Sequence, residues 1–466
     1  MTYRSVNPYD GKVLKTFDDI TDVALERTVT QACRAFTGNW SGWSIAQRAQ
    51  VLRNAATLMR ERAEELARYV TLEMGKLINE ARGEVSLSAD ILEYYADNGD
   101  AFLAPQPLRV SEGEAMVENA PMGVIFGVEP WNFPYYQLAR VAGPSLILGN
   151  VLIIKHASNV PQCAQAFEKI LSDAGAPAGV YTNVFASKEQ VAKLIADPRI
   201  KAVALTGSEA AGATVAAQAG KHLKKSTMEL GGSDAFIVLE DADMQRAVSW
   251  GVWGRMNNTG QCCIAAKRFI VVDAVADEFL RHFKASLSQL TPGDPLDAKT
   301  TLGPLSSESA LQELLKQVEG AVQGGATVLL GGKRLARPGA FIEASILTDI
   351  APGNPAFYQE FFGPVALFFR VKSEEEAIAL ANDSPFGLGG SVFTRDIERG
   401  KQVARQISTG MVFVNQATWT APDLPFGGIK NSGYGRELAE LGMQEFVNKK
   451  LIRVSATMPE PEFPVA

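Results

Sequence analysis

Five short apolar segments alternate with helix-like segments through the middle of the sequence. Each of these segments has the length of one strand, most are rich in Val, Ile, Leu or Ala, and each intervening segment is long enough for a helix. The apolar segments are residues 124–128, 151–155, 181–185, 202–206 and 235–239. This alternation predicts an α/β fold in which βαβ crossovers build a parallel sheet. Because ligands bind such sheets at the carboxyl ends of the strands, polar residues that follow these segments are candidates for a binding site.

The segments before this region have different periods. Residues 22–100 have apolar positions three and four apart and are rich in Ala, Leu, Glu and Arg, which predicts amphipathic helices with solvated charged faces. Residues 108–128 change to a β-prone alternation, and Pro121, Met122 and Gly123 are expected to form the turn of a hairpin. Such a ribbon can serve as an assembly surface.

Composition limits the class of protein. With 466 residues, of which 46% are hydrophobic and 21% are charged, the chain is expected to form two or three globular domains. A net charge of -7 with both signs interspersed argues against nucleic-acid and anionic-membrane partners, although a local basic pocket for a phosphate remains open. The longest apolar stretch, residues 141–154, is interrupted by Pro144 and Asn150 and is too short to span a bilayer. The first residues lack an apolar segment and a small-residue cleavage site, so a cytoplasmic location is expected.

The cysteines and histidines do not have the spacing of metal ligands. Four cysteines in so long a chain are not a disulfide framework, and reduced thiols are expected. The three histidines cannot form a zinc or di-iron site on one helix face. The residues concerned are Cys33, Cys163, Cys262, Cys263, His156, His222 and His282. No metal site is predicted.

Two of the cysteines are adjacent, at the end of the segment Asn-Asn-Thr-Gly-Gln-Cys-Cys that covers residues 257–263. Cys263 is the candidate nucleophile, because a thiolate forms near neutral pH with modest help from backbone dipoles and adds readily to a carbonyl carbon. The alternative is that Cys262 and Cys263 are both small buried apolar residues. From this segment alone the two interpretations are balanced.

Four polar features follow the predicted strands. Asn132 offers a side-chain N–H that can hold an oxyanion, although Asn is also an ordinary turn residue. Lys155 either reaches a ribose or phosphate or is a common strand-end lysine. Residues 205–213 form a small-residue turn whose backbone N–H groups can receive a diphosphate, but the turn is neither a Gly-x-Gly-x-x-Gly fingerprint nor a P-loop. Glu229 precedes a glycine pair and is either a general base with a raised pKa or a surface acid.

Taken in order, these segments resemble the NAD(P)-dependent aldehyde dehydrogenase superfamily. The resemblance covers roughly residues 5–455, and the sequence is most similar to the short bacterial succinate-semialdehyde dehydrogenases. The motifs that carry it are Pro-Trp-Asn-Phe-Pro at 130–134, Lys-His-Ala-Ser-Asn at 155–159, Thr-Gly-Ser at 206–208, Glu-Leu-Gly-Gly at 229–232, Gly-Gln-Cys-Cys at 260–263, Glu-Phe-Phe-Gly-Pro at 360–364 and Pro-Phe-Gly-Gly-Ile-Lys at 425–430.

The resemblance implies a fold of three parts. A Rossmann-type nucleotide-binding domain is expected from residues 1–110 and 126–230, and an α/β catalytic domain from residues 231–430. Residues 111–125 and 431–466 are expected to form a small β element for oligomerisation. A homodimer or homotetramer is implied.

The resemblance also implies a reaction, the oxidation of an aldehyde to a carboxylic acid with NAD or NADP through a thiohemiacetal and a thioester. Cys263 matches the nucleophile, Glu229 the general base, and Asn132 with the Cys263 backbone N–H the oxyanion hole. Lys155 and Ser158 match positions at the adenosine ribose, Ser208 the diphosphate turn, and Glu360 and Phe362 the nicotinamide ribose. The full set of expected cofactor positions is Trp131, Lys155, Ser158, Thr206, Gly207, Ser208, Gly212, Leu230, Glu360 and Phe362.

Departures from the family pattern bear on specificity. Many NAD-using members carry Glu at the position of Ser158, where a carboxylate repels a 2'-phosphate, so acceptance of NADP is expected. Arg140 is placed to pair with a substrate carboxylate, or alternatively forms a surface or interdomain ion pair. Thr420 stands where relatives tend to place a Ser beside that carboxylate, but Asp423 replaces a position that is often basic.

Succinate semialdehyde is therefore the expected substrate, and another aliphatic or aromatic aldehyde is the alternative. Cys262 is expected to be inert, with reversible protection of Cys263 under oxidants as the other possibility. Two further classes remain open, a thiol hydrolase that uses the acyl intermediate without redox chemistry and a noncatalytic binding protein that retains an enzyme fold.

Overall fold

The computed structural model describes residues 3–455. A short antiparallel strand pair begins the chain, and four helices follow it, as the helical period predicted. α2 begins with a capping box, in which Ser44 and Gln47 bond each other's backbone N–H groups, and it packs against α4. The elements are β1 (Tyr3–Val6), β2 (Val13–Phe17), α1 (Asp22–Gly38), α2 (Ile45–Glu61), α3 (Ala63–Met74) and α4 (Ile78–Leu103).

The turn that was predicted for the hairpin at residues 108–128 is wrong. β3 (Gln106–Pro107) and β4 (Glu114–Pro121) form the antiparallel pair, so the chain reverses before β4. Pro121, Met122 and Gly123 instead lead from β4 into a different sheet. The side chain of Asn150 accepts hydrogen bonds from the backbone N–H groups of Met122 (2.7 Å) and Gly123 (3.0 Å), which directs the chain into that sheet.

A six-stranded sheet follows, in the order β19-β9-β8-β5-β6-β7, and β5 to β9 run parallel. Four of the five predicted strands lie here, and their crossover helices confirm the βαβ prediction. Polar residues at their carboxyl ends therefore share one edge of the sheet. The elements are β5 (Val124–Glu129), α5 (Pro134–Leu148), β6 (Val151–His156), α6 (Pro161–Asp173), β7 (Tyr181–Asn183), α7 (Lys188–Ala196), β8 (Ile200–Thr206), α8 (Glu209–Lys221) and β9 (Lys225–Glu229).

The fifth predicted strand begins a second sheet of seven strands, in the order β12-β13-β14-β11-β10-β16-β17. The sequence had indicated one continuing alternation, whereas the chain changes sheets after β9. The elements are β10 (Asp234–Val238), α9 (Met244–Met256), β11 (Ala266–Val272), α10 (Asp273–Leu287), α11 (Glu308–Gln323), β12 (Thr327–Leu330), β13 (Ser345–Thr348), β14 (Val365–Val371), α12 (Glu374–Asn382), β15 (Phe386–Gly387), β16 (Gly390–Phe393), α13 (Ile397–Gln406) and β17 (Phe413–Val414).

The last elements return to earlier parts of the chain. They are β18 (Ile429–Lys430), β19 (Gly433–Tyr434), α14 (Ala439–Met443) and β20 (Val447–Val454). β18 pairs with β15, β19 with β9 of the six-stranded sheet, and β20 with the whole of β4. Residues 456–466 of the predicted oligomerisation element lie outside the described residues. The division into three domains stays a prediction.

The second sheet is covered on both faces. Alternation places Ile237 and Ile270 in one apolar cluster and Phe236 and Phe269 in the cluster on the opposite face. Central strands buried on both faces are mostly apolar, which is why these segments are so clear in the sequence. Within residues 3–455 no helix is long and apolar enough to cross a membrane, and no group of three or more His, Cys, Asp or Glu is arranged to hold a metal ion.

Candidate active site

The candidate nucleophile follows a short left-handed loop after α9. Asn258, Thr259 and Gly260 have positive φ values of 54°, 54° and 75°. Asn tolerates this conformation, and its side-chain amide also donates to the carbonyls of Asn132 (2.8 Å) and Gln261 (3.0 Å). A Cβ at Gly260 would lie 2.4 Å from the carbonyl oxygen of Gly363. The Asn-x-Gly-Gln pattern is therefore required by the backbone of the loop.

The loop presents the two cysteines differently. Cys262 is buried, whereas Cys263 is partly exposed, so Cys263 is the sulfur that a ligand can reach. A hydrogen bond between the two thiols raises the pKa of Cys263 and lowers that of Cys262, and burial raises the pKa of both. The positive charges of Arg140 and Lys267 act in the opposite direction on Cys263. Since the pair shares a proton across one hydrogen bond, exposure decides which sulfur is the nucleophile.

Asn132 lies against this loop. It follows β5 and stands two residues before Pro134, the first residue of α5. Its side chain is buried, and its Nδ2 donates to the carbonyl of Gln261 at 3.2 Å. A primary amide has two N–H groups, so one remains for a ligand beside Cys263.

Glu229 ends β9, and its backbone pairs with Gly433 of β19. The carboxyl is buried at 2% exposure, and neither of its oxygens has a hydrogen-bond partner among residues 3–455. Burial raises the pKa of Glu229 well above its usual value, Glu437 adds to the rise, and Arg140 opposes it. An unpartnered buried carboxyl of this kind is a candidate for proton transfer.

The two substrate candidates, Arg140 and Thr420, are joined by a residue that the sequence analysis missed. Arg140 donates to the Tyr136 hydroxyl (3.3 Å) and to Thr206 Oγ1 (3.2 Å), and the Tyr136 hydroxyl bonds Thr420 Oγ1 at 2.8 Å. The Arg140 guanidinium is buried and pairs with Glu437, so the ion-pair alternative is present. Its role toward a substrate stays a prediction.

Three buried carboxyls share the positive charge of Arg140. They are Glu129, Glu229 and Glu437, and the pKa of each is raised first by burial and lowered by Arg140. The Thr206 side chain also lowers the pKa of Glu129, a residue that the sequence analysis missed. Three negative charges that lie close together away from water repel one another strongly. We therefore expect at least one of these three carboxyls to stay protonated.

The expected cofactor residues form two clusters. At the turn after β8, Ser208 is exposed and caps α8 by accepting from the Ala211 N–H (3.4 Å), and Gly207 donates to the Glu229 carbonyl (2.9 Å). Gly212 packs on Leu230, since a Cβ there would lie 2.5 Å from the Leu230 side chain. Thr206 stands at the end of β8.

Lys155 lies near the carboxyl end of β6, and Ser158 follows that strand at the same edge of the sheet. Both are partly exposed, and the Ser158 carbonyl accepts from the backbone N–H of Arg4 at 3.1 Å.

The other cluster lies beside the cysteines. Trp131 and Phe362 stand edge to face with ring centroids 5.7 Å apart. Glu360 accepts from the backbone N–H of Gly232 (3.1 Å) and from Lys267 Nζ (3.1 Å). Lys267 lies four residues after Cys263, but nothing in the sequence indicated this contact.

A parallel sheet with a small-residue turn after β8, together with a second sheet whose preceding loop carries a partly exposed cysteine, is the arrangement expected of a nucleotide-dependent dehydrogenase. The chain belongs to the aldehyde dehydrogenase family, whose model matches residues 1–452. The predicted superfamily, the α/β fold and aldehyde oxidation with NAD(P) are thereby confirmed.

Individual relatives have been identified over almost the whole chain. The succinate-semialdehyde dehydrogenase [NADP(+)] of Deinococcus radiodurans is 49% identical over 459 residues, which cover 98% of this chain and 96% of the relative. A solved structure from a study of cofactor and substrate selection is 55% identical, with a TM-score of 0.97 and coverage of 98% of this chain and 100% of the other. The succinic semialdehyde dehydrogenase of Streptococcus pyogenes, solved in complex with NADP+, is 46% identical, with a TM-score of 0.96 and coverage of 97% and 99%.

Proposed function

We propose that this chain oxidises succinate semialdehyde to succinate and uses NADP as its cofactor. The observation that carries the proposal is the near full-length similarity to relatives named for that substrate and that cofactor. The buried guanidinium of Arg140 and the hydroxyls of Tyr136 and Thr420 support a carboxylate-bearing substrate, because Arg140 and Tyr136 act on Cys263 and Thr420 is bonded to Tyr136.

The proposed first step is attack of the Cys263 thiolate on the aldehyde carbon. The carbonyl oxygen becomes an alkoxide, which the second N–H of the Asn132 amide and the backbone N–H of Cys263 are proposed to hold. Loss of one such donor typically costs about 100- to 1000-fold in rate. A bound dinucleotide would accept the hydride that the aldehyde-derived carbon loses as the C=O bond re-forms, which would leave a thioester on Cys263.

Glu229 is proposed to deprotonate the water that hydrolyses this thioester. Its carboxyl is buried and has no hydrogen-bond partner among residues 3–455, so it can bond a water molecule. A general base of this kind contributes roughly 100- to 10,000-fold.

The cofactor residues fit a phosphate-bearing dinucleotide. Ser208 and the exposed N-terminus of α8 suit a diphosphate, and the carboxylate of Glu360 suits ribose hydroxyls. Ser158 brings no negative charge toward a 2'-phosphate. We therefore expect Ser158→Glu to move the ratio of kcat/KM values toward NAD.

We further propose the three-part domain division, a homodimer or homotetramer, and a cytoplasmic location. All four cysteines are free, which fits a reducing compartment. β20 and the residue that follows β3 expose apolar side chains, with Leu451 at 60%, Val454 at 43% and Leu108 at 44%, and such side chains are suited to burial against a second copy.

The experiment that tests the proposal measures reduced-cofactor absorbance with purified protein, NAD or NADP, and a panel of aldehydes. We expect kcat/KM to be higher for succinate semialdehyde than for pentanal, an uncharged aldehyde of similar length, and higher with NADP than with NAD. Equal kcat/KM values for the two aldehydes would contradict the proposal that succinate semialdehyde is the substrate. A thiol hydrolase would cleave a thioester without reducing either cofactor, and a binding protein would do neither.

The Thr420→Val variant tests whether the hydroxyl of Thr420 contacts the carboxylate of the substrate. The change keeps side-chain shape and removes the hydroxyl, so we expect KM to rise for succinate semialdehyde and to stay within twofold for pentanal. An equal rise for both aldehydes would assign Thr420 to general packing.

A further inference from the structure

We propose that Lys267 is a positioning residue that ties the nucleophile loop to the carboxylate of Glu360. The inference rests on the proposed function, because it takes Glu360 as the group that meets the cofactor ribose. The Lys267 side chain is fully buried and stands at the start of β11.

Three contacts use all three donors of the Lys267 ammonium group. Nζ donates to the carbonyls of Cys262 (2.9 Å) and Cys263 (2.7 Å), and it pairs with Glu360 Oε1 at 3.1 Å. Two of the contacts hold the backbone carbonyls of the cysteine pair, and the third holds the carboxylate of Glu360. A buried ammonium with every donor engaged holds its neighbours in one arrangement.

The glycine pair after Glu229 shows how closely the two sides approach. A Cβ at Gly231 would lie 2.2 Å from Glu360 Oε2, and a Cβ at Gly232 would lie 2.7 Å from the carbonyl oxygen of Cys263. Glu360 and the Cys263 carbonyl are therefore both packed on the backbone of residues 231–232, with Lys267 between them. Side chains larger than hydrogen at these positions would separate the parts that Lys267 joins.

The charges around this contact give it a measurable effect on the thiol. Lys267 lowers the pKa of Cys263, as does Arg140, while Cys262 and burial raise it. Tyr136 also faces the thiol, and Asp234 and Glu360 face Lys267. Neutralising Lys267 removes a positive charge that stabilises the Cys263 thiolate, so the pKa of Cys263 should rise. Neutralising Glu360 removes the negative charge that compensates Lys267, so the pKa of Cys263 should fall.

The test is the pH dependence of Cys263 alkylation by iodoacetamide in the full-length protein, with Lys267→Met, Lys267→Gln and Glu360→Gln variants. We expect the midpoint to move to higher pH in both Lys267 variants and to lower pH in Glu360→Gln. Lys267→Gln retains N–H donors for the carbonyls, so it separates charge from hydrogen bonding if Lys267→Met does not fold. Lys316→Met, an exposed lysine of α11, is the matched control and should not move the midpoint.

Cofactor kinetics supply the second readout. Removing charge-assisted contacts should raise KM for NADP about tenfold in Lys267→Met, with a smaller rise in Lys267→Gln and little change in KM for the aldehyde. Shifts of the alkylation midpoint in the same direction in the Lys267 and Glu360 variants, or no shift in either, would overturn the proposal. Because alkylation needs neither aldehyde nor cofactor, that result is independent of whether the proposed substrate is correct.

Discussion

The carboxyl of Glu229 is buried and has no hydrogen-bond partner in the part of the chain that the structure describes. Such a carboxyl is costly to ionise. Burial raises its pKa, and the nearby Glu437 raises it further. Only the ionised form can take a proton from water. Glu229 therefore becomes ionised, and able to act as a base, at a higher pH than an exposed carboxyl does.

This environment predicts a pH-dependent deacylation step. Hydrolysis of the thioester should rise with pH through a midpoint above 4.5, the usual carboxyl value, because Glu229 must first lose its proton. Glu229→Gln should slow steady-state turnover about 100- to 10,000-fold while the first turnover still reduces NADP. Stopped-flow absorbance separates the two phases. Loss of the first turnover together with the steady state would place Glu229 before hydride transfer.

His156 gives a stability prediction. Burial lowers its pKa from 6.5 to about 4, although the ring nitrogens face the carbonyls of Glu129 and Pro134, each at 3.1 Å, and these two contacts act in the opposite direction. A lowered histidine pKa means that the unfolded chain binds the proton first as pH falls. Stability should be present above pH 6.5 and lost between 6.5 and 4, by about 3 kcal/mol at 1.4 kcal/mol per unit.

The measurement is urea unfolding of wild type and His156→Gln from pH 4 to 7. The slope of stability against pH should be smaller in the variant over this window. An identical slope in both proteins would assign the pH dependence to other groups.

Between elements, the turn from β9 to β10 controls the approach of the two sheets. In Gly231→Ala, the new methyl group would meet the end of the Glu360 side chain, which can move without unfolding the protein. We expect a folded variant in which KM for NADP rises several-fold because Glu360 is displaced from its contacts with Lys267 and Gly232. Gly353→Ala is the control, since a Cβ there meets nothing within 4 Å. Unchanged KM for NADP in Gly231→Ala would mean that the position of Glu360 does not matter for cofactor binding.

The elements also show where the sequence was informative. The strand segments could be predicted because their apolar runs end at turn residues, but both sheets have equally apolar central strands, so the change of sheet after β9 left no local sign. β4 was assigned the wrong partner because β-propensity does not identify which segment pairs with which, and its partner β20 is far away in the sequence.

For the site, the resemblance to the family indicated Cys263, Glu229 and Asn132 as candidates, and the structure brings Asn132 to the cysteine loop through Gln261. Contacts that join distant segments were not predictable. Arg140 pairs with Glu437, Tyr136 with Thr420, and Lys267 with Glu360, and each of these partners becomes recognisable only when the chain is folded.

For the whole molecule, assembly should depend on the sheet formed by β3, β4 and β20. Leu451 is 60% exposed on β20, and an aspartate there would place a charge in the proposed contact. We expect Leu451→Asp to lower the mass measured by light scattering after size-exclusion chromatography, relative to wild type. Val23→Asp is the matched control, because Val23 of α1 is exposed to a similar extent, 64%, on another surface. Equal masses for all three proteins would place the interface elsewhere.

The central claim is that one sulfur carries the acyl group during aldehyde oxidation. The most direct measurement is mass spectrometry of peptides from Glu229→Gln protein quenched in acid after reaction with NADP and succinate semialdehyde. We predict a succinyl adduct on Cys263, in an amount equal to the NADPH formed in the first turnover, and none on Cys262. NADPH formation without any acyl group on Cys263, or an adduct found on Cys262, would contradict the account.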